Sequence, residues 1–202
     1  MSATLPAFIG IDPGLNGAIA VLSRDGTLLA LHDTPSIKHK MSVRRERRFR
    51  DPATKKLVRT GERVTKEKIA REPDAYAMAD LLRPYLASSP IVALEQVGPR
   101  PREAPSAAFK FGSGYGVWLG ILGAFQMKRV DYRPQKWQEV IFGKRDKGEG
   151  KRDAKEAKQQ SVARARALFP AWADRIGKHD GRSDAILIAE SLRRLSLPQH
   201  NV

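Results

Sequence analysis

The sequence predicts an α/β fold, and three observations carry that prediction. Three short apolar runs between Phe8 and Thr34 are separated only by turn residues, which calls for three antiparallel strands before any helix. Two later runs, Pro90–Glu95 and Arg129–Arg133, also have strand length. The segments around them are longer and carry helical spacing, so strands and helices interleave through the rest of the chain.

The first strand and its turn lie in Phe8-Ile9-Gly10-Ile11-Asp12-Pro13-Gly14-Leu15-Asn16-Gly17-Ala18-Ile19-Ala20-Val21. An apolar run stops at Asp12, turns through Pro13 and Gly14, and resumes as a second apolar run. A carboxylate at that rim is costly to desolvate unless it is hydrogen-bonded, paired or bound to a cation. Asp12 therefore reads either as a turn residue capping its own loop or as a functional acid. Gly17–Arg24 and Thr27–Thr34 meet at Asp25-Gly26, a strong hairpin signal. Next comes Lys38–Arg71, with 14 basic and 4 acidic residues and little apolar content. This segment is expected to be a mobile basic arm with a turn at Asp51-Pro52, ordering as a hairpin on its partner.

Pro73–Ala87 has helical spacing in Tyr76, Ala79, Leu82 and Leu86. Pro90–Glu95 reads as a buried strand that, like the first, ends on an acid; Glu95 is either a surface residue or a second functional carboxylate. Pro99–Pro105 is a loop, and Ser106–Phe125 a helix carrying Gly112, Gly114, Gly116, Gly120 and Gly123. Each glycine weakens a helix by about 1 kcal/mol relative to Ala, so close packing against another helix or a second subunit is expected. Arg129–Arg133 is a fifth strand and Pro134–Phe142 a short helix with Lys136 and Trp137. Asp153–Phe169 is a helix with a basic face, ended by Pro170. In the last helix, His179–Glu190, Asp180 and Asp184 share one face and repel, which calls for compensation by Arg182, Lys178 or a metal ion. Asp180 also suits an N-cap.

Composition narrows the chemistry. A chain of 202 residues, 41% apolar, suits one domain, 1–202, with the basic arm 38–71 inserted in it. Without Cys there is no disulfide, thiolate nucleophile or Cys-ligated zinc. Met1–Pro6 lacks the features of a signal segment, and the longest apolar run, Tyr115–Phe125, is about half the ~20 residues a bilayer needs. A soluble, intracellular (cytoplasmic) protein with no membrane partner is expected. The net charge of +15 is concentrated in the arm and in Lys144–Arg166, which has 9 basic and 4 acidic residues. Two cationic segments on a balanced body point to a polyanion, nucleic acid first, with a merely solubilising role as the alternative. The expected DNA contacts are Arg44, Arg45, Arg47, Arg48, Arg50, Lys55 and Lys56 in the arm, and Lys136, Lys151, Lys155 and Lys158 beyond it.

Four acids, Asp12, Glu95, Asp180 and Asp184, thus stand at strand ends or a helix start. Oxygen-only ligands favour Mg²⁺ or Mn²⁺, and a pair of such ions can hold the attacking water and leaving 3′-oxygen of a phosphodiester displacement. No zinc-spaced His cluster and no P-loop occur. The stretches Ile9-Gly10-Ile11-Asp12-Pro13-Gly14, Leu94-Glu95-Gln96-Val97 and Asp180-Gly181-Arg182-Ser183-Asp184-Ala185-Ile186-Leu187-Ile188-Ala189 resemble the three acidic motifs of RuvC-type Holliday junction resolvases, phage-type versions most closely. The resemblance spans most of the chain outside the arm.

That resemblance implies an RNase H-like fold: a five-stranded mixed sheet, order 3-2-1-4-5, flanked by helices, with the basic insertion after strand 3. It implies a crossover junction endodeoxyribonuclease acting as a homodimer on four-way junctions, with two Mg²⁺ per site and Mn²⁺ able to substitute. Asp12, Glu95, Asp180 and Asp184 would be the metal ligands, with Lys136 and Lys158 neutralising phosphate charge. Departures from the family pattern keep alternatives open. Gly98 stands where family members carry an aromatic wedge. The last acidic pair is spaced by four rather than three, so the fourth ligand is Asp180 or His179. The long arm suits forks and flaps as well as junctions. Sugar kinases and actin-like ATPases share the opening Asp-X-Gly turn, but no second phosphate loop is found here. A DNA-binding module with inert carboxylates is the non-enzymatic alternative.

Overall fold

Pro6–Ile11 forms β1, and the turn after it returns the chain along Ala18–Ser23, β2, antiparallel to β1 with Ile11 opposite Ile19. Both strands are apolar nearly throughout because both of their faces are covered. Gly26, at φ +93°, makes the tight turn into Leu28–Asp33, β3. This is a computed structural model describing residues 4–98, 104–144, 153–177 and 180–197. The chain divides into two units, 1–35 with 73–202, and 36–72.

In the larger unit, Asp74 caps α1, Ala75–Leu82, by accepting the Ala77 N–H. The single helix expected over Pro73–Ala87 is corrected here. Beyond Leu82 the chain tightens into a 3-10 segment, Arg83–Ser88, because Pro84 has no N–H to continue the α-helical ladder. Ile91–Glu95, β6, then pairs parallel to β1, and Arg129–Tyr132, β7, parallel to β6. With Ser36–Arg50 and Leu57–Pro73 numbered β4 and β5, the main sheet runs β3-β2-β1-β6-β7. Counting only its own five strands, that is the expected 3-2-1-4-5 order, with three antiparallel strands followed by two parallel ones: the RNase H-like fold.

Two cores flank this sheet. Ile9, Ile11, Ile19, Val21, Val92 and Leu94 face α1 and α2, Pro105–Ala124, meeting Met78, Leu82, Trp118 and Leu122. The alternate residues Phe8, Ala18, Ala20, Leu22, Ala93 and Tyr132 face α3, Pro134–Phe142, α4, Ala154–Leu168, and α6, Asp180–Ser196. A short α5, Ala173–Ile176, precedes α6. Helix α6 lies directly on the sheet: a methyl group at Gly10 would fall 2.2 Å from the Ala185 carbonyl oxygen and 2.4 Å from the Ala189 nitrogen. It runs beyond the expected end at Glu190 because Leu192 is still buried and Arg193 and Arg194 fold back onto the Glu190 carboxylate at 2.7 and 2.8 Å.

The glycines of α2 divide into two groups. Among the described residues, Gly114 alone of the five packs closely, with Pro13 and Pro73 beneath it; Gly112, Gly116, Gly120 and Gly123 meet no described atom within 4 Å. Tertiary packing therefore explains one of the five, and the others form an exposed stripe.

The smaller unit is a two-stranded antiparallel ribbon of β4 and β5. Its turn is organised by Asp51, whose carboxylate accepts the N–H groups of Ala53 and Thr54 at 2.7 and 3.0 Å. Arg47–Glu62 and Arg59–Glu46 pairs cross the strands. The hairpin expected of this segment is present, held by its own turn and cross-strand contacts.

Candidate active site

The register brings the first two acids together. Ile11 pairs with Leu94 on the parallel neighbour strand, so Asp12 and Glu95 follow at adjoining strand ends, about 4.8 Å apart in the sheet direction. Side-chain alternation puts Glu95 on the side of Ala93, the face covered by α3 and α6. The turn after β1 fixes Asp12 from below: its N–H donates to the Ala18 carbonyl at 3.0 Å, and its Oδ1 accepts the Gly14 N–H at 3.1 Å. Both acids are half-buried.

Helix α6 brings its first turn to the same corner. A methyl group at Gly181 would meet the Asn16 carbonyl oxygen at 2.2 Å, the Gly17 Cα at 2.7 Å and Asp12 Oδ2 at 3.0 Å. Only glycine lets the helix backbone lie so close over the Asp12 turn. Asp184, half-buried, follows in the next turn of this helix and directly precedes the sheet-facing Ala185. Asp180 begins α6; its side chain, His179, Lys178 and Lys151 lie outside the described residues. Arg182, a candidate for offsetting the Asp180–Asp184 repulsion, is bound elsewhere. It grips Asp33 with two hydrogen bonds of 2.6 Å and donates a third to the Arg175 carbonyl, which ties the start of α6 to the end of β3. The hydrogen bonds and charge of Asp33 raise its pKa, against the opposing effect of burial.

One contact at the site was not foreseen. Trp137, buried in α3, donates its indole N–H to Glu95 Oε1 at 2.9 Å. A buried indole needs an acceptor, and the carboxylate at the end of the adjacent strand provides it. Its sequence signal was only a Trp beside Lys136 on an amphipathic helix. Lys136 itself is exposed near the start of α3, and Lys155 and Lys158 are exposed on α4. Arg44, Arg45, Arg47, Arg48, Arg50, Lys55 and Lys56 are all exposed on the ribbon, apart from this corner in sequence and in a different unit. Gly98 is exposed, with no atom of the described residues within 4 Å of where a Cβ would stand.

The donor set suits a hard divalent cation: carboxylate oxygens only, on elements anchored by backbone bonds and a close glycine contact. Among the described residues, no three acidic or histidine side chains already stand in metal-holding geometry. Asp12, Glu95 and α6 thus form an acidic corner rather than a closed ion cage. No helix among the described residues is long and apolar enough to cross a membrane.

No protein-family model matches the chain, and no curated protein does. Among solved structures, it is similar to RuvC of Thermus thermophilus at 16% identity and a TM-score of 0.44, over 91% of this chain and 90% of that one. It is similar to T. thermophilus RuvC in complex with Holliday junction substrate at 14% identity and a TM-score of 0.47, over 93% and 94%. A third is the Fowlpox virus resolvase with substrate Holliday junction DNA, at 13% identity and a TM-score of 0.38, over 94% and 98%.

Proposed function

We propose that this protein is a metal-dependent endonuclease that nicks branched DNA, four-way junctions foremost, by phosphodiester hydrolysis. The observation that carries the reading is the meeting of Asp12, Glu95 and the first turns of α6 at one corner of the sheet, in a chain of net charge +15. Four-way junctions are proposed as the substrate because the three acidic stretches around Asp12, Glu95 and Asp184 resemble those of RuvC-type resolvases.

Two Mg²⁺ ions, replaceable by Mn²⁺, would supply Lewis acidity and a water acidic enough to attack at neutral pH. Asp12, Glu95 and Asp184 would hold them, with Asp180 or His179 completing the set. Trp137 would orient the Glu95 carboxylate through its hydrogen bond to Oε1. Lys136 and Lys158 would offset charge on the scissile phosphate, and Lys151 and Lys155 would bind flanking phosphates. Water attacks phosphorus, the bond to the 3′-oxygen breaks, and a 5′-phosphate and 3′-hydroxyl result, ends that a ligase can rejoin. A homodimer would supply two such sites to one junction, and the exposed glycine stripe of α2 is the surface proposed for its two-fold contact. Such a protein works where DNA recombines, inside the cell.

The test is incubation with a four-way junction, a fork and a linear duplex, in Mg²⁺ or in EDTA. Symmetric nicks of the junction in Mg²⁺ alone are expected. Asp12→Asn, Glu95→Gln and Asp184→Asn should each abolish nicking and leave junction affinity intact or improved, since each removes a charge that repels phosphate. Near-normal rates in Asp12→Asn would refute the assignment. Equal cutting of forks would widen the substrate class, and junction binding without any nicking would identify a non-catalytic module.

A further inference from the structure

The ribbon has features that charge alone does not account for. Most of the large exposed apolar side chains among the described residues lie on it: Ile37, Met41, Phe49, Leu57, Val58 and Ile69. Single exposed apolar residues are ordinary, but a run of them on one hairpin is not. At the turn, the Asp51 N–H donates to the Lys56 carbonyl, so these residues face each other. Two positions further out, Phe49 therefore stands opposite Val58 on one face. Phe49 is 50% exposed and Val58 37%, so the pair covers itself only in part.

Its surroundings select the occupant. Arg47 precedes Phe49 on the same face, and Arg48 and Arg50 flank it on the other. A concavity of about 820 Å³ further along the ribbon is lined by four cations, Arg45, Arg47, Arg48 and Lys66, against one acid, Glu46, with Val64 and Thr65 between them. The Arg47–Glu62 pair is exposed on both sides and easily exchanged for a phosphate. A protein surface seeking this apolar pair would have to neutralise the arginines, whereas nucleic acid brings phosphates and flat apolar bases together. In continuous duplex the bases are stacked and closed to a side chain; at a branch or break they can unstack.

We propose that Phe49, backed by Val58, is a base-stacking element that takes an unstacked nucleobase at a discontinuity in DNA while the neighbouring arginines hold the flanking phosphates. The inference rests on the proposed action on DNA and adds to it the means by which a branch is told from a duplex. The ribbon's charge serves both alike; Phe49 serves only the branch.

The experiment uses the full chain in EDTA, with 2-aminopurine at the branch point of a four-way junction or at the matching position of a linear duplex. The native protein should raise the fluorescence of the junction probe several-fold and leave the duplex probe unchanged. Phe49→Ala should lose that rise and reduce the preference for junction over duplex by about tenfold, with an unchanged salt slope because no charge is removed. Phe49→Tyr should retain both. An unchanged preference and fluorescence response in Phe49→Ala would overturn the proposal. So would a change in sedimentation state without a fluorescence effect, which would mark Phe49 as a protein contact. If the native protein bound neither DNA at low salt, the proposed function itself would fall.

Discussion

Replacing Gly10 with Ala adds one methyl group at the point where α6 crosses β1. That methyl would lie 2.2 Å from the Ala185 carbonyl oxygen, 2.4 Å from the Ala189 nitrogen and 2.9 Å from the Ala189 Cβ. Ordinary contacts begin near 3.4 Å, so the helix must retreat by about 1 Å. The obstacles are mostly backbone, and no rotamer change can relieve them. Ala185–Leu192 is buried, so a retreat loosens packing along two turns of helix. Overpacking of this kind costs about 1–3 kcal/mol, and a clash with helix backbone belongs at the upper end. For a domain of this size each kcal/mol lowers Tm by about 2–4 °C, so a fall of about 6–12 °C is expected. Asp184 moves with the helix away from Asp12, so the rate of junction nicking should fall at temperatures where the variant is still folded. Scanning calorimetry and a single-turnover nicking assay measure the two effects. A Gly10→Ala protein with native Tm and native rate would refute the close crossing and its link to the acidic corner.

Four further predictions follow from other contacts. Trp137→Phe removes a charge-assisted hydrogen bond to Glu95, about 1.5–3 kcal/mol, and should lower Tm while raising the Mg²⁺ concentration needed for half-maximal nicking; an unchanged metal titration would show that the indole does not orient the carboxylate. Burial would raise the Glu190 pKa, but hydrogen bonds and charge from Arg193 and Arg194 outweigh it and hold it below 4.5. A depressed carboxylate stabilises the fold above its unfolded pKa and loses that contribution as pH falls through the folded value, so Tm should drop more steeply below about pH 4.5 in the native protein than in Glu190→Gln. Deleting Lys40–Arg63 should weaken binding to linear and branched DNA and flatten log affinity against log salt by about 0.9 per lost phosphate contact; an unchanged duplex slope would refute a phosphate-binding ribbon. A Cβ at Gly116 meets nothing within 4 Å among the described residues, so the fold should survive in Gly116→Leu. Loss of a dimer in light scattering would then locate the two-fold contact on α2, and an intact dimer would exclude it.

Local pattern determined much of this protein. The alternation in Ile9, Ile11, Ile19 and Val21 against Phe8, Ala18 and Ala20 specified strands covered on both faces, and Asp25-Gly26 specified the hairpin between β2 and β3. Asp12 and Glu95 were legible as a pair because each ends an apolar run, a position set by the run itself. What depended on distant residues was hidden. That Gly10 and Gly181 are the two points where α6 touches the β1 strand and turn follows from a crossing between elements some 170 residues apart, and no local spacing encodes it. Arg182 looked like a counter-charge for its helix neighbours, yet it reaches Asp33 because α6 docks beside the end of β3. Trp137 could be read as an apolar helix position, but only the juxtaposition of α3 with the end of β6 gave its N–H a carboxylate to bond. The five glycines of α2 read alike in sequence; packing separated Gly114, which meets Pro13 and Pro73, from four that meet nothing among the described residues, because a helix has one buried face and sequence spacing alone did not say which.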